Sequence, residues 1–172
     1  MSKPVINIAD TDLQPRPPGF APTGEASGRY DARISRVSAL LGAQKLGYNI
    51  TAVPPGKRAF PPHSHRYNEE MFVVLEGVGE VRIGEEVYPI RQGDIVALLA
   101  GDKKTAHVVT NTGNAELKYL AVSTRISPEI CDYPTTGKFG VFAELPADAD
   151  GKPGFFRYIG RENQAADYWE GE

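Results

Sequence analysis

The sequence predicts an all-β protein, a sandwich or barrel of short strands. Seven or more strand-like runs follow one another from Tyr48 to Ser123. Turn signals rich in Gly, Asn, Asp and Pro separate them at close intervals. The 18 glycines and 14 prolines among 172 residues fit a fold with many reversals of direction.

The first thirty residues are poor in strand pattern, and Gln14 to Gly24 is extended or coil because of its prolines. This segment can lie as an arm over the body or over a neighbouring subunit. Residues 34–46 fit either a short helix or a strand. Tyr48–Val53 is a strand stopped by Pro54, Pro55 and Gly56. Glu70–Leu75 is the next, ended by a turn at Glu76 and Gly77. Val78–Ile83 should pair with Glu86–Ile90 across the two-residue turn Gly84-Glu85. Residues 91–94 turn again, then Ile95–Leu99, Ala106–Thr110 and Leu117–Ser123 follow, with a turn over Asn111–Asn114. Beyond Ser123, Pro128–Lys138 reads as a loop and Phe155–Ile159 as one more strand. Asp148, Asp150 and Gly151 resemble part of a calcium loop but lack its closing Glu, so the stretch reads as a solvated turn. Tyr168 and Trp169 are expected to anchor the tail on the body.

Composition sets limits. A chain of this length suits one domain with a real core. The net charge of -3 and the pI near 5.7 leave no dominant basic patch, which argues against nucleic acid and anionic membranes as partners. No stretch approaches transmembrane length or resembles a signal peptide. The single cysteine, Cys131, has no intrachain disulfide partner, so a cytoplasmic, reducing setting is expected and the thiol reads as an inert packed residue. Glu70, Phe72 and Val74 share one strand face, and Met71, Val73 and Leu75 share the other. A run apolar on both faces is covered on both sides, so a homodimer or the chain's own tails should cover the outer one.

The strongest functional signal is the placement of the histidines. There are only three, His63, His65 and His107, and a carboxylate, Glu70, stands five residues after His65. In a strand, residues two apart point to the same face, so His63 and His65 can aim into one interior. His107 opens a later strand run that a rolled sheet would bring alongside. Imidazoles with a carboxylate make a mixed nitrogen/oxygen shell for a divalent transition metal, and zinc, iron, manganese and nickel all fit it. The plain alternative is unrelated polar residues on loops and edges.

These residues resemble the cupin family. The first cupin motif is matched by Gly56, His63, His65, Glu70 and Gly77, and the second by Gly93, Gly101, His107 and Asn111. Three departures are visible. The Gly56–His63 spacer is one residue longer than usual, Leu99 replaces a usual Pro, and five residues rather than two separate Gly101 from His107. The resemblance implies a double-stranded β-helix, or jelly-roll, barrel over residues 46–123. An N-terminal extension over 1–45 and a C-terminal extension over 124–172 would flank it. It also implies one metal per chain held by His63, His65, Glu70 and His107. Glu69 competes with Glu70, but Glu70 fits the step to Gly77. No internal repeat is present, which excludes a two-barrel version.

Several functions stay open at this stage. Cupins with this shell include dioxygenases, oxalate decarboxylases and sugar-phosphate isomerases. A non-catalytic binder or sensor for a small organic acid or sugar phosphate is the alternative. Arg58, Tyr67 and Tyr119, with Lys57 and Asn68 beside them, are the candidate ligand contacts. Apart from the four proposed ligands, no carboxylate is placed for proton transfer, and Glu69 should point away from Glu70.

Overall fold

The structure is a computed structural model and describes residues 4–172. Two very short strands, β1 (Gln14–Pro15) and β2 (Arg33–Ser35), precede the long β3 (Leu46–Val53). A one-turn helix, α1 (Glu25–Arg29), lies before β2, and a second, α2 (Val37–Leu41), after it. Thus the ambiguous stretch after residue 33 is strand first and helix second. Gly42, at φ +72°, closes α2.

The strands that follow are β4 (Ser64–His65), β5 (Glu70–Glu76), β6 (Val78–Ile83), β7 (Glu86–Arg91) and β8 (Ile95–Leu98). After them come β9 (His107–Thr110), β10 (Leu117–Thr124), β11 (Glu129–Tyr133), β12 (Lys138–Leu145) and β13 (Gly154–Gly160). The expected β6–β7 hairpin across Gly84 and Glu85 forms, with Ile83 paired to Glu86. The expected loop after Pro128 is corrected, because Glu129–Tyr133 is a paired strand. Its polar residues look loop-like in sequence, yet Glu129 and Asp132 are buried and hydrogen-bonded.

One wall is a six-stranded sheet in the order β1-β2-β3-β10-β5-β8. The other wall has two pieces, β7-β6-β9 and β13-β12-β11-β4. An antiparallel bridge between His63 and His107 joins the pieces. The core lies between the walls. Phe72 and Val74 of β5, Leu117 and Tyr119 of β10, Val81 of β6 and Val109 of β9 belong to one buried cluster. Alternation along β5 sends Glu70, Phe72 and Val74 inward, opposite Ser123, Ala121 and Tyr119 of β10. This double-wall, antiparallel arrangement is the expected jelly-roll barrel.

Asn111 is fully buried and acts as a structural clamp. Its side-chain N–H groups donate to Val53 O (2.7 Å) and Ala115 O (2.8 Å), and its Oδ1 accepts from Gly113 N (2.9 Å). It therefore ties the end of β9 to β3 through Val53 and satisfies two backbone groups in the turn.

The tail departs from expectation. Tyr168 and Trp169 are 84% and 73% exposed, so they do not anchor it to the body. They touch each other edge to face instead. On the outer face of the six-stranded sheet, Met71 and Ile95 stay 38% and 68% exposed. Among the described residues, neither tail covers them.

Two motif glycines allow a controlled test. Gly56 has φ +71° with open space where a Cβ would stand. Gly77 has φ +85°, and a Cβ there would stand 2.5 Å from Glu116 O. Gly56→Ala should cost about 1 kcal/mol for the left-handed backbone alone. Gly77→Ala should cost clearly more, because a backbone carbonyl cannot move aside. Urea denaturation of both variants checks the order, and equal losses would mean that the contact at Gly77 relaxes freely.

Candidate metal centre

The histidines gather at the seam between the two smaller sheets. The His107 N–H donates to His63 O (2.8 Å) and the His63 N–H returns to His107 O (3.2 Å). On the other side His65 pairs with Cys131 of β11, and Gly101 N donates to His65 O (2.8 Å). Each imidazole is thus placed by backbone pairing. Glu70 comes from the opposite wall, as the first residue of β5.

His63, His65, Glu70 and His107 each offer one ligand atom, and these atoms lie within 4.8 Å of one another. His107 Nε2 is 3.0 Å from Glu70 Oε2. His65 Nε2 is 3.4 Å from the same oxygen, an ionic contact that falls short of a hydrogen bond. A buried ring nitrogen without a hydrogen-bond partner, aimed at a carboxylate and two further imidazoles, is the arrangement expected of a cation ligand. The donor set of three nitrogens and one carboxylate suits a divalent transition metal.

The outward ring nitrogens have their own partners. His63 Nδ1 donates to Pro61 O (2.9 Å), leaving Nε2 free as a donor to a cation. His65 Nδ1 lies 3.4 Å from Cys131 Sγ and 3.7 Å from Glu129 Oε2. The reading of Cys131 as an inert packed residue is therefore incomplete. The thiol is buried, as expected, but it packs on the back of a histidine of the cluster.

The electrostatics follow from this crowding. Desolvation, with His107 and His65 close by, holds His63 down to about 3, so it stays neutral. For His65, burial also disfavours the charged form. Cys131, Glu129 and Glu70 outweigh it and push the ring up to about 12. Burial acts against the Glu70 carboxylate too, but His107 and His65 hold it well below the usual range. His65 is therefore cationic beside an ionised Glu70 and a neutral His63.

A cavity of about 210 Å³ opens above these four residues. Phe72, Val109, Ala121 and Tyr119 make most of its wall apolar, and Asn49 adds a polar edge. Tyr119 was a candidate ligand contact and does line this cavity. Burial raises its phenol above the ordinary range, so it stays protonated. Arg58 and Tyr67 do not line the cavity. Arg58 pairs through its backbone with Tyr30 and Thr110, and Tyr67 is 53% exposed on the loop after His65. Nearness in sequence to His63 and His65 did not place either of them on the cavity wall. Lys57 Nζ donates to Gly28 O (2.7 Å), away from the site. Glu69 is exposed, while Glu70 faces inward as the strand alternation required.

Glu129 escaped the sequence reading. Its Oε1 accepts from the backbone N–H groups of Arg66 (3.1 Å), Tyr67 (3.3 Å) and Ile130 (2.8 Å). Its Oε2 accepts from Asn68 N (2.9 Å) and from the Asn68 side chain. One carboxylate thus holds the whole loop that links His65 to Glu70. Its neighbour in β11, Asp132, takes both arms of Arg66 at 2.9 Å each. No local pattern could reveal this, since Glu129 follows His65 by more than sixty residues. Glu129→Gln should speed amide exchange at Arg66, Tyr67 and Asn68 by about tenfold or more, because charge-assisted bonds are roughly twice as strong as neutral ones. Residue-resolved hydrogen exchange measures it. Unchanged rates would show that the flanking strands alone fix the loop.

Comparison with known proteins agrees with this geometry. A family described as "Cupin domain" matches residues 49–123. A curated oxalate-binding protein of Thermotoga maritima is 33% identical over 70 residues, 41% of this chain and 54% of that protein. The chain spans about half the length of the curated relatives it matches. A crystal structure from Acidithiobacillus ferrooxidans, provisionally named a sugar phosphate isomerase, is 25% identical with a TM-score of 0.61, over 73% of this chain and 76% of that one. A sugar phosphate isomerase of the cupin superfamily from Silicibacter pomeroyi superposes over 97% of this chain and 98% of its own, with a TM-score of 0.73 at 20% identity, a likeness of fold. With both histidine motifs in place on a double-walled barrel, residues 49–123 of this chain match the cupin domain.

Proposed function

We propose that this protein is a metal-dependent cupin that binds a small, oxygen-rich acid in the barrel. His63, His65, Glu70 and His107 hold one divalent transition metal per chain. The observation that carries this reading is the cluster of four ligand atoms within 4.8 Å, with a buried His65 nitrogen left unsatisfied. A metal bound there supplies a Lewis acid or redox centre with positions open to a pair of ligand oxygens. The largely apolar wall excludes water around those oxygens and strengthens their attraction to the cation. Tyr119, held protonated, faces the ligand as a hydrogen-bond donor rather than a base. The likeness to an oxalate-binding protein supports a small acid as the ligand.

Binding is favoured over catalysis by one feature of the wall. Beyond the four proposed ligands it contains no carboxylate, lysine or arginine. Decarboxylation or isomerisation needs a group that moves a proton. The likeness to a protein named as a sugar phosphate isomerase keeps catalysis as the second reading. Oxygen uptake by the iron-loaded protein, and turnover of oxalate by the manganese-loaded one, would establish it.

Elemental analysis of purified variants tests the ligand set. His63→Ala, His65→Ala, Glu70→Gln and His107→Ala should each lose most of the metal, while Glu69→Gln keeps it. Full occupancy in the His107 variant would remove His107 from the shell. Oxalate should then bind the metal-loaded protein and not the chelated one.

Metal binding should strengthen with pH. At neutral pH the metal displaces the proton on His65, about one per ion, so affinity should rise about tenfold per pH unit. Stability changes in the same sense. His65, raised, stabilises the metal-free protein fully below about 6.5, and that contribution fades as pH rises towards about 12. His63, lowered, acts in the opposite sense. It costs the metal-free protein stability as pH falls from 6.5 towards about 3. From pH 6 to 8 the His65 effect dominates, so the gain in melting temperature on metal loading should grow. A gain that shrinks over that interval would contradict the assigned proton.

The chain is further proposed to form a homodimer through the outer face of the six-stranded sheet. Met71, Ile95 and Leu46 are all at least 38% exposed there. Light scattering at micromolar concentration should give twice the chain mass of 18.7 kDa, and Ile95→Lys should restore the monomer.

A further inference from the structure

The metal cavity does not end at its own rim. A second cavity of about 630 Å³ adjoins it, and Asn49 and Phe60 line both. Its outer wall is the N-terminal arm, with Gln14, Arg16 and Phe20, together with Arg36 just before α2. The arm therefore turns an open barrel mouth into a two-chamber site.

Arg16 sits at the junction. Its guanidinium stacks over the Phe60 ring at 4.3 Å, and Nη2 donates to Ala59 O. Phe60 in turn lies 6.1 Å from the His63 ring, so one aromatic ring separates the guanidinium from the metal cluster. The side chain is half-buried, yet among the described residues no carboxylate lies within ion-pair distance of it. A partly desolvated, unpaired guanidinium is costly, and one arm of its fork is all that Ala59 uses. Arg36 lines the same chamber, is exposed and also lacks an ion-pair partner among the described residues. The one acidic residue in that wall, Asp12, is engaged by the Gln14 side chain. The outer chamber is therefore net cationic, whereas the inner one carries its negative charge on Glu70 beneath the ligand.

We propose that the outer chamber is an anion subsite and that Arg16 determines specificity. The ligand is then a short bifunctional acid. One end offers an oxygen pair to the metal, and the other carries a second anionic group, carboxylate or phosphate, held by Arg16 with Arg36 behind it. This rests on the metal-binding reading above and narrows its ligand class. Phe60 separates the two chambers and supplies an apolar surface for the ligand's carbon chain. A simple staple role for Arg16, holding the arm to the barrel, predicts no preference among ligands.

The experiment uses the full-length, metal-loaded protein and three acids with the same hydroxycarboxylate head: glycerate, malate, and glycerate phosphorylated at its terminal carbon. Calorimetry should show malate or the phosphorylated acid binding about tenfold to a hundredfold more tightly than glycerate, the gain of charge-assisted hydrogen bonds. Whichever of the two gains identifies the anionic group as carboxylate or phosphate. Arg16→Gln should bring that acid down to the level of glycerate. Arg16→Lys should recover part of the preference, since a point charge replaces the fork. Arg36→Gln, at an exposed position that the fold does not need, should reduce the preference severalfold. Equal affinities for all three acids in the wild type, or an equal loss for all three in Arg16→Gln, would overturn the proposal. Failure of the protein to retain metal would instead overturn the reading on which it rests. Retained metal with no binding of any of the three acids would overturn the subsite and the small-acid reading together, leaving the metal shell intact.

Discussion

The pairing of His63 with His107 is the contact on which the barrel and its site both depend. Two backbone hydrogen bonds between these residues join the three-stranded and four-stranded pieces into one wall. The same two residues bring their imidazoles together, with ring centroids 4.6 Å apart. Barrel closure and assembly of the cluster are therefore one event. Glu70 enters from the opposite wall, so the cluster also spans the core that the two walls enclose. A cation held there would bind only the folded chain and would add its binding energy to the fold.

Support for this seam comes from the segment after Ser123. Strand β11 lies beside β4 and backs the His65 ring with Cys131 and Glu129. Glu129 also gathers the backbone donors of the loop from Arg66 to Asn68. Five donors on one buried carboxylate make that loop rigid, and both ends of the loop carry residues of the cluster. The C-terminal strands thus support the four-residue cluster from behind.

The N-terminal arm works at the other end of the cavity. It is held to the body by the β1–β2 pairing and by Arg16 on Ala59 and Phe60. Its position gives the site a graded character. A carboxylate and imidazoles lie at the floor, an apolar belt above them, and guanidinium groups at the mouth. Such an arrangement orients a ligand with unlike ends, because each end finds favourable contacts in only one place.

Much of this was legible in the residues. Strand alternation put Glu70, Phe72 and Val74 on one face and Glu69 on the other, and the step from Glu70 to Gly77 in the cupin-like motif selected Glu70 as the inward carboxylate. The spacing of His63 and His65, and the strand opening at His107, were enough to expect one cluster. Turn glycines such as Gly77 and Gly84 marked where strands reverse. Residues that act across the sheets were not legible. Glu129 looked like part of a loop, Cys131 like inert packing, and Arg16 like one charge in a proline-rich arm. Arg58 and Tyr67 looked close to the ligands and turned out to face elsewhere. The physical reason is common to all of these. Local pattern determines which face of a strand a side chain takes, whereas the partner across a sheet depends on register and closure, which only the folded chain decides.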